Sequence, residues 1–161
     1  MECIFCEIAK GRVKAKLIHE DEISLAFLDI NPRSKGMSIV IPKQHYESFD
    51  ENLEISARVF LSALIVAKKI KYALNPKEVI FSVIPSDIVK HFHVRIYPVF
   101  DEMPVIESKP LSIAEEEMEE IAEKIRSVKI EFKKEEAEEE KEEKERSEEE
   151  VYWIKRDFEI P

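Results

Sequence analysis

The sequence predicts an α+β protein with a largely antiparallel five-stranded sheet, one long helix, a short N-terminal helix and a charged C-terminal extension. Three observations carry this prediction. Five short apolar runs are bounded by turn residues. One long stretch keeps a helical apolar spacing between the third and fourth of those runs. After residue 132 the composition changes abruptly to glutamate and lysine. Separate groups of strands and helices, rather than strict βαβ alternation, favour an antiparallel sheet.

In chain order, CIFCEIAKG has the spacing of a short helix that Gly11 can stop. KLIHEDEISLAFLDINP reads as two strands joined by a charged turn around Glu20–Glu22, with Pro32 closing the second. A third strand runs from Met37 to Ile41 after Gly36. ENLEISARVFLSALIVAKKIKYALNP is the long helix. Phe60, Leu64, Ala67, Ile70 and Leu74 give it an apolar stripe, and Asn75-Pro76 ends it. VIFSVI and HFHVRIYP are the fourth and fifth strands, joined by PSDIVK. Ser112 and Glu115 form a capping-box pattern for a last helix whose stripe is Ala114, Met118, Ile121, Ile125 and Val128. The expected organisation is a main domain over 1–110, a C-terminal helix and strand over 111–132, an acidic solvated helix or linker over 133–150, and an aromatic docking segment over 151–161.

Charged residues make up 37% of the 161-residue chain, well above the usual ~25%. The net charge of −10 is uneven, because residues 133–150 hold eleven Glu against five Lys and Arg. The acidic block has one apolar residue, Ala137, and so no coiled-coil seam. The main domain is therefore close enough to neutral to accept a phosphate-bearing small ligand, whereas nothing points to nucleic acid. No apolar run approaches the ~20 residues of a membrane span, and MECIFCEIAK lacks the apolar core of a signal peptide. A cytoplasmic protein is expected. In a reducing compartment, two cysteines three apart suit a metal or redox pair better than a structural disulfide.

Cys3 and Cys6, one helical turn apart, can reach one tetrahedral ion. A closed site needs two more ligands, and imidazoles such as His45 and His91 suit zinc. The alternative is a pair of buried thiols with two unrelated histidines, and spacing does not choose between them. HFHVRIYP, residues 91–98, places His91, His93, Arg95 and Tyr97 on one strand face, with Phe92, Val94 and Ile96 on the other.

These stretches together resemble the histidine triad (HIT) family of nucleotide-binding proteins. CIFCEIAKGRVKAKLIHEDEISLAFLDINPRSKG is similar to the family's N-terminal half. GMSIVIPKQHY is similar to its strand ending in Ile-Pro-Lys-x-His, and HFHVRIYP falls where the family carries His-φ-His-φ-His-φ-φ, φ being apolar. The resemblance covers roughly residues 2–100. It implies a HIT-like fold, a homodimer, and a purine nucleotide or nucleotide derivative bound against each sheet. It implies a structural zinc on Cys3, Cys6, His45 and His91. It makes His93 the nucleophile toward the α-phosphorus of phosphoramidates or dinucleoside polyphosphates, through a nucleotidyl-histidine intermediate. Asp29 would hold the ribose. Ile4, Phe5, Ile8, Phe27, Leu28 and Ile30 would wall the base, although most such residues also suit an ordinary core.

Three positions depart from the family pattern. Arg95 replaces the third histidine, VIPSDIVK lacks the usual glycine-rich loop with its glutamine, and Met37 stands where a histidine usually follows the glycine. Arg95 could still grip a phosphate through its fork, and Ser86 could supply a hydroxyl. Two other functions fit the same residues. One is a catalytically silent nucleotide-binding sensor. The other is a zinc-stabilised interaction module whose acidic arm and VYWIKRDFEIP segment engage a protein partner.

Overall fold

The computed structural model describes residues 3–84, 88–101 and 109–130. The segments expected over 133–150 and 151–161, and Ser86, lie outside these residues. A five-stranded antiparallel sheet forms the frame, in the order β1 (Leu17–Glu20), β2 (Ser24–Leu28), β3 (Ser38–Pro42), β5 (Val94–Val99), β4 (Glu78–Ser82). Three helices accompany it: α1 (Ile4–Ala9), α2 (Leu53–Leu74) and α3 (Glu115–Ser127).

Strand alternation divides the sheet into two environments. Ile18, Ala26, Leu28, Val40, Val94 and Ile96 face α2 and α3 and join Val59, Val66, Ile70, Ile121 and Ile125 in the main core. Each fully buried Val, Leu or Ile among them contributes ~1.5–3 kcal/mol. Leu25, Phe27, Ile39 and Ile41 face the opposite way and pack with Phe5 of α1. This second face carries the site.

The expected stripe on α2 needs correction. Phe60 and Leu64 are exposed, at 39% and 57%. The buried row is instead Val59, Ser62, Ala63, Val66, Ala67 and Ile70. Apolar residues occupy a wide arc of this helix, so period alone cannot pick the inward side. Small residues Ser62, Ala63 and Ala67 share that row with Val59, Val66 and Ile70, and Phe60 and Leu64 lie beside it. Asn52 caps the helix by accepting from the Ile55 amide at 3.1 Å, and Asn75 closes it in the left-handed conformation, φ 51°.

A second correction concerns α3. Its N-cap is Ala114 and makes no side-chain hydrogen bond, so the Ser112–Glu115 box does not form. Three glutamates in the first turn and Lys124 and Arg126 in the last complement the helix dipole instead. Arg126 also clamps α3 to the sheet by donating to the Leu17 carbonyl at 2.8 Å. No strand follows over 128–130.

Gly36, which leads into β3, has φ +80° and sits under α2, so a Cβ there would run into Leu74. The β1–β2 turn is tied down by Asp21. Its carboxylate accepts from the amides of Ile23 and Ser24 at 2.8 and 2.7 Å, and from the hydroxyls of Ser24 and Ser62 at 2.8 and 2.6 Å. Partial burial works against the charge, yet these bonds outweigh it and bring its pKa down to about 2.

Candidate functional site

The segment 91–93 enters β5 from a connection that hydrogen-bonds to the chain before α2, the Phe92 amide donating to the Tyr46 carbonyl at 2.6 Å. Phe92 goes to the main core. His91 and His93 are thereby turned to the α1 face and are nearly sealed, at 1% and 3% exposed. The Phe5 ring meets both imidazoles edge-on, with centroids 5.8 and 5.3 Å away.

The two rings are fixed in opposite senses. His91 Nε2 lies 3.0 Å from the Pro42 carbonyl and His93 Nδ1 lies 2.7 Å from the His91 carbonyl. A carbonyl only accepts, so each of those nitrogens carries the proton. His91 therefore offers its Nδ1 lone pair, and His93 offers its Nε2 lone pair. Burial, partly countered by the Pro42 bond, lowers the His91 pKa to about 4. Burial also lowers that of His93. Its bond to His91 and the Asp29 carboxylate oppose this, and the Arg95 charge adds to it. Both rings are neutral near pH 7. His93 Nε2 is buried and has no hydrogen-bond partner among the described residues, which is costly unless something else meets that lone pair.

His91 Nδ1 stands 3.4 Å from Cys3 Sγ and 3.5 Å from Cys6 Sγ, and His45 Nδ1 stands 3.3 Å from Cys6 Sγ. All four donor atoms lie within 4.8 Å of one another. Zinc bonds of ~2.3 Å to sulfur and ~2.0 Å to nitrogen at tetrahedral angles put neighbouring ligands about 3.5 Å apart, so the spacing fits. The Pro42 carbonyl on the far nitrogen of His91 is the usual outer support of a ligating imidazole. Burial, and then the adjoining Cys3, raise the Cys6 thiol pKa, a load that a dication would reverse.

Asp29 follows β2 at the same face. One carboxylate oxygen takes the Asn31 amide at 2.8 Å, and the other has no partner among the described residues. Phe5 and Phe27 meet edge-on at 5.7 Å and, with Ile8, make an apolar wall beside His93. Ile4 is exposed at the surface of α1. Ile30, 82% exposed, shares with Ile8, Leu17 and Met118 a groove of about 660 Å³. Leu28 must be removed from the expected base wall. It belongs to the main core on the other side of the sheet, because neighbours in a strand cannot face the same way. Arg95 pairs with Ile39 and Ser82 across the sheet, on the His93 face, and its buried Nε has no partner among the described residues.

A feature without a clear signal in the sequence lies on the other side of His93. A cavity of about 370 Å³ is bounded by His91, His93, Lys90, Ser48 and Val83. The turn at Ser48 is held by Glu51, which accepts from the amides of Glu47 and Ser48 at 2.8 and 3.0 Å. Ser48 followed three residues later by Glu51 is the one trace of it in the sequence.

Residues 2–109 match the family described as scavenger mRNA decapping enzyme C-term binding. An uncharacterised HIT-like protein of Methanocaldococcus jannaschii is 63% identical over 49 residues, 30% of this chain and 38% of that protein's length. The adenosine 5'-monophosphoramidase of Schizosaccharomyces pombe is 36% identical over 104 residues, 61% of this chain and 74% of that one. A zinc-bound histidine triad protein of Mycobacterium smegmatis superposes with a TM-score of 0.67 at 25% identity, over 79% of this chain and 92% of its own.

Proposed function

The chain belongs to the histidine triad family of nucleotide-binding proteins, and on that premise we propose that it hydrolyses nucleotide derivatives, or transfers their nucleotidyl group, at the α-phosphorus through His93. The observation that carries this reading is the tautomer of that ring. With Nδ1–H held by the His91 carbonyl, the Nε2 lone pair is bare, neutral and shielded from water, as a nucleophile toward phosphorus should be. Nε2 forms the P–N bond as the leaving group departs, and water then releases the nucleoside monophosphate. Asp29 receives the ribose hydroxyls, and Ile4, Phe5, Ile8, Phe27 and Ile30 take a purine base. The substrates are nucleoside phosphoramidates or dinucleoside polyphosphates.

Cys3, Cys6, His45 and His91 would hold zinc in a structural role, since four protein ligands leave no position for substrate. The ion would tie α1 to the sheet and fix His91, whose carbonyl orients His93. A homodimer is supported by the exposed Leu61 and Leu64 on α2, 51% and 57% accessible, and by the edge strand β4 with Phe81 at 39%. A cytoplasmic location agrees with helices that, among the described residues, are too short or too polar to cross a membrane.

The reading is tested by turnover of adenosine derivatives. His93→Ala should lower kcat/KM by at least ~10³-fold, as loss of an enzymatic nucleophile does, with thermal stability retained. Unchanged turnover in that variant would overturn it. A catalytically silent binder, the alternative favoured by Arg95 and Met37, would show nucleotide-induced thermal shifts and no product in the native chain.

A further inference from the structure

Arg95 is the second residue of β5 and His93 lies just before that strand; both belong to the face that carries Ile39 and Phe5, and the Arg95 charge is felt at the His93 ring. The Arg95 backbone is fixed between Ile39 and Ser82, and its buried Nε is left without a partner among the described residues. An unsatisfied guanidinium N–H held beside a nucleophile is a ready anion donor. It is not an acid, because a guanidinium does not release its proton in proteins.

The described residues around it supply no acid in its place. Both nitrogens of His91 are committed, one to the Pro42 carbonyl and one toward the thiols. His45 faces Cys6. Asp29 is a carboxylate. Lys90 lines the neighbouring cavity and brings positive charge to it. Among the described residues, positive charge beside His93 comes from Arg95 and Lys90, and neither imidazole of the cluster is free to give a proton.

We propose that Arg95 sets the leaving-group specificity of the chain, favouring nucleotide derivatives whose leaving group departs as a stable anion, such as sulfate, phosphate or pyrophosphate, over those that release an amine. This rests on His93 being the nucleophile. In the favoured reaction Nε2 donates its pair to phosphorus, the P–O bond breaks, and its electrons leave with the oxyanion beside Arg95. No proton is needed, because Nδ1–H stays on the His91 carbonyl. Water then forms a P–O bond, the P–N pair returns to Nε2, and the water proton passes to bulk solvent. An amine cannot follow this course, because its nitrogen must gain a proton as the P–N bond to it breaks.

The test is kcat/KM of the native chain for adenosine 5'-phosphosulfate and for adenosine 5'-phosphoramidate, repeated with Arg95→His and Arg95→Gln. The phosphosulfate should be preferred by ~10²-fold or more, the usual contribution of a general acid. Arg95→His should narrow that preference by ~10-fold or more through gain on the phosphoramidate. Arg95→Gln should lose phosphosulfate turnover without gaining the other. Equal turnover of both substrates by the native chain, or an unchanged preference in a folded Arg95→His variant, would overturn the inference while leaving His93 in its role. If the variants fail to fold, the native preference still decides. Cleavage of neither substrate by the native chain would remove the hydrolase reading and this inference with it.

Discussion

At the scale of single residues, Asp21 shows how one carboxylate can couple a turn to a helix. It joins the β1–β2 turn to Ser62 of α2, and its folded-state pKa of about 2 lies below the ordinary carboxylate value. Such a group stabilises the fold fully above about pH 4. The contribution is lost as pH falls through the folded value of about 2. Ser62→Ala removes one of the four bonds at a cost of about 1 kcal/mol. Because it also lets the carboxyl titrate higher, the difference between variant and native melting temperatures should shrink between pH 7 and strongly acid conditions. A constant difference across that range would show that Ser62 acts through packing alone.

At the scale of elements, α1 has only six residues and cannot persist alone. Phe5 and the two cysteines attach it to the sheet. If zinc joins Cys3 and Cys6 to His45 and His91, its stabilisation reaches ~4 kcal/mol when free zinc stands a thousandfold above its dissociation constant. Chelation should then lower the melting temperature and expose the N-terminus to protease, and Cys3→Ser should abolish the zinc response. Identical melting of metal-free and zinc-loaded protein would refute a structural ion. The junction of α2 with β3 depends on Gly36. Gly36→Ala combines an unfavourable positive φ with collision against Leu74, so a loss of about 1–3 kcal/mol is expected in denaturant unfolding.

At the scale of the whole molecule, the strands were readable because β-branched and aromatic runs sat between Gly, Pro and charged turns. The two faces of HFHVRIYP followed from a period of two alone. Other features were not readable, for particular reasons. The arc of apolar residues on α2 is too broad to show which side meets the sheet, so helical spacing selects Phe60 and Leu64 where the fold buries Val59 and Ala63. Family resemblance puts Leu28 in the base wall, whereas its own strand alternation puts it in the main core. The protonated nitrogen of His93 depends on a carbonyl two residues away in a bent segment, which no pattern of side chains records. The exposed Leu61 and Leu64 would be covered if α2 meets a second copy. Leu64→Glu should shift sedimentation from dimer to monomer, and a native chain already monomeric at micromolar concentration would remove the dimer.

If His93 is the nucleophile, its Nε2 becomes bonded to phosphorus during turnover. The most direct measurement is to quench the native chain during turnover of adenosine 5'-phosphosulfate labelled at phosphorus and map the label by peptide mass spectrometry. An acid-labile, alkali-stable adenylyl group is expected on His93 and absent from His93→Ala. Product formation with no label on His93 at any quench time, or label carried by another residue, would contradict His93 as the nucleophile.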